Sequence, residues 1–305
     1  METTDRHFYR RLNRYRRWVQ VLSLLLFAAI PVLNGYGIHT LIGTLYSLSI
    51  GDLDIADPVM VLQTVLLSRQ VYVPLLLAVW VPVVIAWLFG RVFCSWVCPQ
   101  NTLSEWIAAV QQRLFARRWK QVHHFKYGKN PHAAWYWLIF GLLILLTAVL
   151  GVPLLAYLSA PGIITSSLSQ AILQHHVGVE ILLVLGVLVV EAAIFRRFWC
   201  KYGCPVGAGL ALFQGRRSLR VRFNSDLCDC KPGTAPCYAV CPLHLAPKET
   251  ATLYPYCFNC GLCVTFCEKA GRALTFGFSA ADPMGNAPRD IDSKPFQLIQ
   301  VSRHK

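Results

Sequence analysis

The chain has 305 residues, of which 55% are hydrophobic and only 14% charged, with 29 Lys and Arg against 15 Asp and Glu for a formal net charge of +14. A soluble chain of this length would suggest two domains, but so apolar a composition argues against an ordinary water-soluble globule. The basic residues sit beside apolar runs, which is the membrane pattern and not a nucleic-acid footprint.

The opening RHFYRRLNRYRRW is strongly basic and leads into WVQVLSLLLFAAIPVLNGYGI, about the length needed to cross a bilayer. No small-x-small cleavage site stands near residues 34–40, so the run reads as a retained first helix and not a removable signal. Residues 34–71 carry one basic residue, Arg69, against Asp52, Asp54 and Asp57, and are expected as an outside loop. A second span, 72–90, tolerates Pro74 and Pro82 if neighbouring helices satisfy the freed carbonyls. The following segment, 91–134, holds Arg91, Arg113, Arg117, Arg118, Lys120, Lys126 and Lys129 and faces inward. A third span, 135–157, opens on Trp135, Tyr136 and Trp137, residues suited to the membrane interface. Residues 160–177 lack Lys and Arg and are expected outside again, before a fourth span at 179–195.

Two short motifs repeat. RVFCSWVCP at 91–99 and RRFWCKYGCP at 196–205 each follow an inward-going helix, so the chain reads as two parallel helical hairpins, each ending in CxxxCP. Cys94 and Cys98, and likewise Cys200 and Cys204, are four apart, which on a helix puts both thiols on one face. Pro99 and Pro205 suit the first turn of a departing helix. Three roles stay open for these four cysteines: small packed residues, a redox-active thiol set or contact surface, or a further metal centre donated jointly by the two hairpins.

The remaining eight of twelve cysteines lie between Cys228 and Cys267. Cys257-x2-Cys260-x2-Cys263-x3-Cys267 has bacterial ferredoxin spacing, in which three thiolates hold one cube and the fourth reaches a neighbouring one. The earlier half, Cys228-x-Cys230-x6-Cys237-x3-Cys241 before Pro242, keeps the closing CxxxCP but stretches the gap ahead of it. The expected allocation is crossed: Cys228, Cys230 and Cys237 with Cys267 for one [4Fe-4S] cluster, and Cys257, Cys260 and Cys263 with Cys241 for the other. A disulfide framework conflicts with a cytoplasmic placement, and zinc rarely needs eight cysteines in two interleaved closures.

Glu191 lies deep in the fourth span, where a carboxylate marks either a proton or quinone contact or an ion pair with Arg196 or Arg197. Glu180, His175 and His176 lie at the outer end of that span, either where a quinol would release protons or as plain solvated groups. His39, His123 and His124 lie outside the spans and are not expected to ligate haem. The chain has no CxxCH, no Gly-rich nucleotide loop and no hydrolase acid pair.

The expected fold class is mainly α: a four-helix transmembrane bundle of two duplicated hairpins with a small C-terminal ferredoxin-like α+β double-cluster module. The expected boundaries are 1–227 for the membrane domain, 228–279 for the [4Fe-4S] domain and 280–305 for an extended tail. The four spans, RVFCSWVCP, FWCKYGCP and the double ferredoxin motif, in that order, together with DPVMVLQTVL at 57–66, resemble the NapH/MauN family of ferredoxin-type membrane proteins over roughly residues 10–278. The resemblance implies a quinol-dehydrogenase-type component of the bacterial inner membrane, with four spans and with both termini and the cluster module cytoplasmic. It would pass electrons between the quinone pool and a periplasmic redox system of nitrate reductase or methylamine dehydrogenase type. Its partners would be quinol, another iron-sulfur or cytochrome subunit and a periplasmic oxidoreductase, with no nucleic acid. Position by position, Cys94, Cys98, Cys200 and Cys204 match the family's membrane-edge motifs, and Cys257, Cys260, Cys263 and Cys267 its regular cluster motif. Two departures stand out: the irregular Cys228–Cys237 spacing, and Glu268 where the family has proline. A different reading makes the chain an assembly factor that supplies reducing power to a periplasmic enzyme under construction.

Overall fold

The computed structural model describes residues 2–37, 41–51, 53–114, 133–175, 178–193, 197–215, 217–228, 230, 236–267 and 272–278. The expected tail at 280–305, and His39, His123, His124, His176, Arg196 and Glu268, lie outside the described residues.

The fold is mainly helical. Helix α1 (Glu2–Gly35) precedes a three-stranded antiparallel sheet of β1 (Leu41–Gly43), β2 (Ser47–Ile50) and β3 (Leu53–Ala56). Helices α2 (Pro58–Ser68), α3 (Val73–Phe89), α4 (Val92–Trp96) and α5 (Pro99–Leu114) follow. The second half begins with α6 (Ala133–Leu150), α7 (Leu154–Tyr157), α8 (Ala160–Leu173) and α9 (Glu180–Ala193). A π-helical turn, Trp199–Gly203, leads into α10 (Pro205–Leu212). Among the described residues, two helices are long and apolar enough to cross a membrane: Arg11–Gly35 and Ala133–Leu150. Two further expected spans form shorter apolar helices, α3 with 17 residues and α9 with 14.

The segments expected as outside loops hold more structure than charge counting reveals. Within 34–71, α2 is a buried helix whose first turn is set by Pro58 and by Asp57, which accepts a hydrogen bond from the Val59 N–H. Within 160–177, α8 begins with Ala160, Pro161, Gly162 and Ile163 all buried. In the sequence these helices, of 11 and 14 residues, register only as stretches without basic residues.

Their packing exposes the duplication. Each half consists of a long helix (α1 or α6), an inserted helix (α2 or α8), a second helix (α3 or α9), a CxxxCP turn and a departing helix (α5 or α10). Each inserted helix crosses into the other half: α2 packs on α6 and α10, while α8 packs on α1 and α5. Ala160 and Ile163 of α8 bury against Leu103 and Ile107 of α5. On the other side, Val59 of α2 occupies the space left open by Gly209 of α10. This exchange locks the hairpins together through apolar contact, so neither half closes alone.

The cysteine-rich segment is enclosed by β4 (Arg220–Phe223) and β5 (Leu274–Gly277), which pair antiparallel with Arg220 opposite Gly277 and Phe223 opposite Leu274. Between them lie α11 (Pro236–Val240) and α12 (Leu262–Cys267), packed on each other. One buried cluster joins Val221, Leu243, Tyr256, Phe258 and Val264 of this module to Tyr136 and Phe140 of α6 and Ala208 of α10. Tyr136, expected at the lipid interface, instead meets the Tyr256 ring edge-on at 5.4 Å. The module and the helices therefore share a core.

Candidate metal centres

The eight cysteines of the C-terminal module divide between two cavities. One is lined by Cys228, Cys230, Cys237 and Cys267, with Phe223, Phe266, Leu274 and Lys248 around them. The other is lined by Cys241, Cys257, Cys260 and Cys263, walled by Leu243, Leu245, Leu253 and Phe258. This division takes cysteines from both runs into each cavity. It arises because α11 carries Cys237 toward one cavity and releases Cys241 into the other just past its end, while α12 does the same with Cys267 and Cys263.

The tight turns around the ligands are held from outside. Asn259 and Gly261 have φ of 51° and 75°, bending the chain between Cys257 and Cys263. Buried Asn259 donates to Phe89 O at 2.9 Å and Leu219 O at 2.8 Å, tying this loop to the end of α3 and the entry to β4. Burial pushes the Cys257 and Cys237 thiols up to about 12 and Cys241 to about 11. Burial also works to raise Cys228, but the Cys230 backbone N–H and Lys248 outweigh it and leave that thiol below its ordinary value. Thiols must lose their protons to bind metal, so in the apolar cavity a bound cation is what makes their charge tolerable.

Among the described residues, no three His, Cys, Asp or Glu side chains converge tightly enough to hold a single metal ion. Four cysteines round each cavity supply the ligand count of a [4Fe-4S] core.

The four membrane-edge cysteines also come together. Electrostatically, Cys98 feels Cys94 and Cys204, Cys200 feels Cys98 and Cys204, and Cys204 feels Cys94. Both motifs share one local device. The Cys98 N–H donates to Phe93 O at 3.1 Å and the Cys204 N–H to Trp199 O at 2.9 Å, five residues back in each case. These wide turns, a geometry that clusters at functional sites, replace the regular helix expected across each CxxxC. Pro99 and Pro205 then open α5 and α10. Burial raises all four thiols above their ordinary values, Cys204 to about 12.

Two arginines, each three residues before the first cysteine of its motif, are residues that charge patterning misassigns. Arg91 and Arg197 count toward an inward-facing surface in the sequence, yet each is only 1% exposed. Arg91 donates to Pro255 O at 2.8 Å and Cys200 O at 3.0 Å, spanning the loop before Cys257 and the opposite CxxxCP turn. Ser95 adds a 2.7 Å bond to Phe258 O. Arg197 donates to Asn101 Oδ1 and pairs with Glu105 at 3.2 Å. Each arginine thus reaches across to the helix that follows the other motif: Arg197 to Asn101 of α5, and Arg91 to the space above Gly207 of α10, where a Cβ would meet the guanidinium. Gly207→Ala is expected to cost roughly 1–3 kcal/mol by overpacking, read as a lowered thermal midpoint of the protein in detergent.

Glu191 is buried, and among the described residues it forms no ion pair with Arg197. Its carboxylate accepts from Ser104 Oγ at 2.9 Å and from the Trp199 N–H at 3.0 Å, fastening α9 to α5 at the start of the second motif. His175 and Glu180 are exposed, as expected of solvated groups.

Comparison with known proteins places this arrangement. A family model described as "4Fe-4S binding domain" matches residues 71–120 and 177–223, the two hairpin ends with their CxxxCP motifs. The chain is 31% identical over 231 residues to the methylamine utilization ferredoxin-type protein MauN of Paracoccus denitrificans, covering 74% of each. This chain belongs to the NapH/MauN family of ferredoxin-type proteins. The ferredoxin-type protein NapH of Haemophilus influenzae is 25% identical over 271 residues, 84% of this chain and 88% of NapH. YccM of Escherichia coli is 26% identical over 211 residues, 67% of this chain, and the chain spans only 55% of YccM's length. No solved structure matches the chain. Within the NapH/MauN family, then, the chain is an iron-sulfur electron-transfer protein, and its family model falls on the hairpins as well as its thiols on the C-terminal module.

Proposed function

We propose that this protein is a quinol-dehydrogenase-type membrane component that carries electrons between the quinone pool and a periplasmic redox system through two [4Fe-4S] clusters. Cys228, Cys230, Cys237 and Cys267 would hold one, and Cys241, Cys257, Cys260 and Cys263 the other. The observation that carries this reading is the division of the eight cysteines between two cavities in these crossed sets. Each cluster, when bound, gains or gives one electron without moving a proton. The chain's own contribution is position and environment. Leu243, Leu245 and Phe258 keep water from one set, Lys248 sets a positive charge beside the other, and Asn259, Ser95 and Arg91 fix the cluster loop to the hairpin ends.

In this reading the hairpins form a four-span domain, 1–227, with both termini and the cluster module in the cytoplasm. Outward-facing Leu22, Leu25, Leu77, Leu138, Leu142, Leu182 and Leu185 on α1, α3, α6 and α9 support it, since apolar exposure on that scale needs lipid around it. Exposed Trp18 and Trp135 suit the interfacial belts. The periplasmic partner would be of the nitrate reductase or methylamine dehydrogenase type.

Anaerobically purified protein should develop the electron paramagnetic resonance signal of reduced clusters on addition of a quinol analogue. Reduction by dithionite with no response to any quinol would reject the quinol link.

A further inference from the structure

We infer that Cys94, Cys98, Cys200 and Cys204 hold a third iron-sulfur cluster, a [4Fe-4S] centre shared between the two hairpins. The inference rests on reading the chain as an iron-sulfur protein and extends that reading to a site the C-terminal module does not contain.

Four observations carry it. The thiols come two from each repeat, with Cys94 and Cys204 packed on one buried cluster and Cys94 and Cys200 on another, at a place where both repeats make the same five-residue turn. Four thiols in two matched pairs are the ligand count that a [4Fe-4S] core takes. The family model described as binding [4Fe-4S] covers both motifs and neither of the ferredoxin-type cavities beyond residue 223.

The fourth is a charge without a counter-charge. Arg91 cannot be neutralised by losing a proton, and it is buried. Among the described residues the ion pairs all fall on Glu105, with Arg16 and Arg197. Arg91 donates to backbone carbonyls and to the Cys94 thiol, and the groups whose charge reaches it are Tyr136, Cys94 and Cys204. Its Nε and the Tyr136 hydroxyl are both buried without a hydrogen-bond partner. A buried cation needs an anion nearby, and four thiolates on an iron-sulfide core supply a net negative charge at that position. Arg197 stands in the equivalent place in the other repeat, so the pair brackets the site. Arg91 also binds the backbone just ahead of Cys257, which sets this site directly beside the cavity of Cys241, Cys257, Cys260 and Cys263.

The full chain, purified anaerobically in detergent, should carry about twelve irons, against about eight for two cubes alone. Replacing Cys94, Cys98, Cys200 and Cys204 together by Ser should remove about four of them and leave the paramagnetic signals of the other two clusters unchanged. Mössbauer counting of clusters in the unmodified protein gives the same answer if that variant fails to fold. Arg91→Gln should lower the midpoint potential of one cluster, because removing a positive charge disfavours its reduced form. About eight irons in the unmodified protein, all lost through C-terminal Cys→Ser changes, would overturn this inference and leave the two-cluster reading intact. About four irons, lost only with the hairpin cysteines, would do the reverse. One zinc lost with the hairpin cysteines would replace the cluster with a mononuclear site and overturn it too.

Discussion

Cys267→Ser should strip iron from cysteines far upstream while sparing its own neighbours. Cys267 closes the regular run that begins at Cys257, yet the cavity it lines belongs to Cys228, Cys230 and Cys237. Its loss should abolish that cluster, about four irons, and leave the signal of the Cys257, Cys260 and Cys263 set in place. Cys241→Ser should do the converse, since Cys241 follows the upstream run but lines the downstream cavity. Iron and acid-labile sulfide counts with electron paramagnetic resonance on both variants make the measurement. If Cys267→Ser and Cys257→Ser remove the same signal, the ligands are not crossed and each run holds its own cube. The effect should extend to folding. α11 and α12 are short helices that meet across the two cavities, and burial holds the Cys237 and Cys263 thiols above their ordinary value. Assembly of the clusters therefore supplies folding free energy as well as a cofactor.

How much of this was legible in the sequence differs from element to element. Cysteine spacing carried the furthest, because ligand order is constrained by the cluster and hardly by the fold around it. Cysteines from both runs line each of the two cavities, Cys230 and Cys237 among them despite the stretched gap between them. Charge asymmetry carried less. It marked out the apolar helices, but it treats every arginine as solvated, whereas Arg16, Arg91 and Arg197 are buried. The cue for Arg91 and Arg197 lay in their identical offset before each CxxxCP, a regularity that belongs to the duplication. The inserted helices α2 and α8 were not legible either. They register only as stretches without basic residues, and what fixes them is contact with the opposite repeat, which no local pattern encodes. Glu191 was singled out for its depth in an apolar run, and its partners, Ser104 and the Trp199 N–H, could be named only from tertiary structure.

Glu105 is the other residue whose loss should be severe, although no motif in the sequence marks it. Its carboxylate pairs with Arg16 at 2.6 Å and Arg197 at 3.2 Å, and accepts from Gln20 at 3.2 Å, joining α1, α5 and the second CxxxCP turn. Burial works to raise its carboxyl, but Arg197 and Arg16 outweigh that and hold it below the ordinary value, so it stays ionised near neutral pH. The side chains of Arg16 and Arg197 are 3% and 1% exposed, so they cannot turn to water when the carboxylate goes. Removing one partner of a buried pair leaves an uncompensated charge and costs about 3–5 kcal/mol. Here one carboxylate serves two guanidiniums, which puts Glu105→Ala at the upper end. The expected result is a large drop in thermal midpoint in detergent. Glu105→Gln should be nearly as damaging, because it restores a hydrogen-bond acceptor but no charge. Adding Arg16→Met to Glu105→Ala should recover part of the loss, since one of the two stranded charges disappears and an apolar side chain of similar length remains. Strict additivity of the two changes would show that Arg16 is stabilised by something other than Glu105. The iron content of the Arg16→Met and Glu105→Ala double variant separates stability from cluster binding. Arg16 and Glu105 act on Cys260 with opposite sign, so removing both leaves the charge there nearly balanced and irons in that module should stay at the unmodified count once the protein is folded.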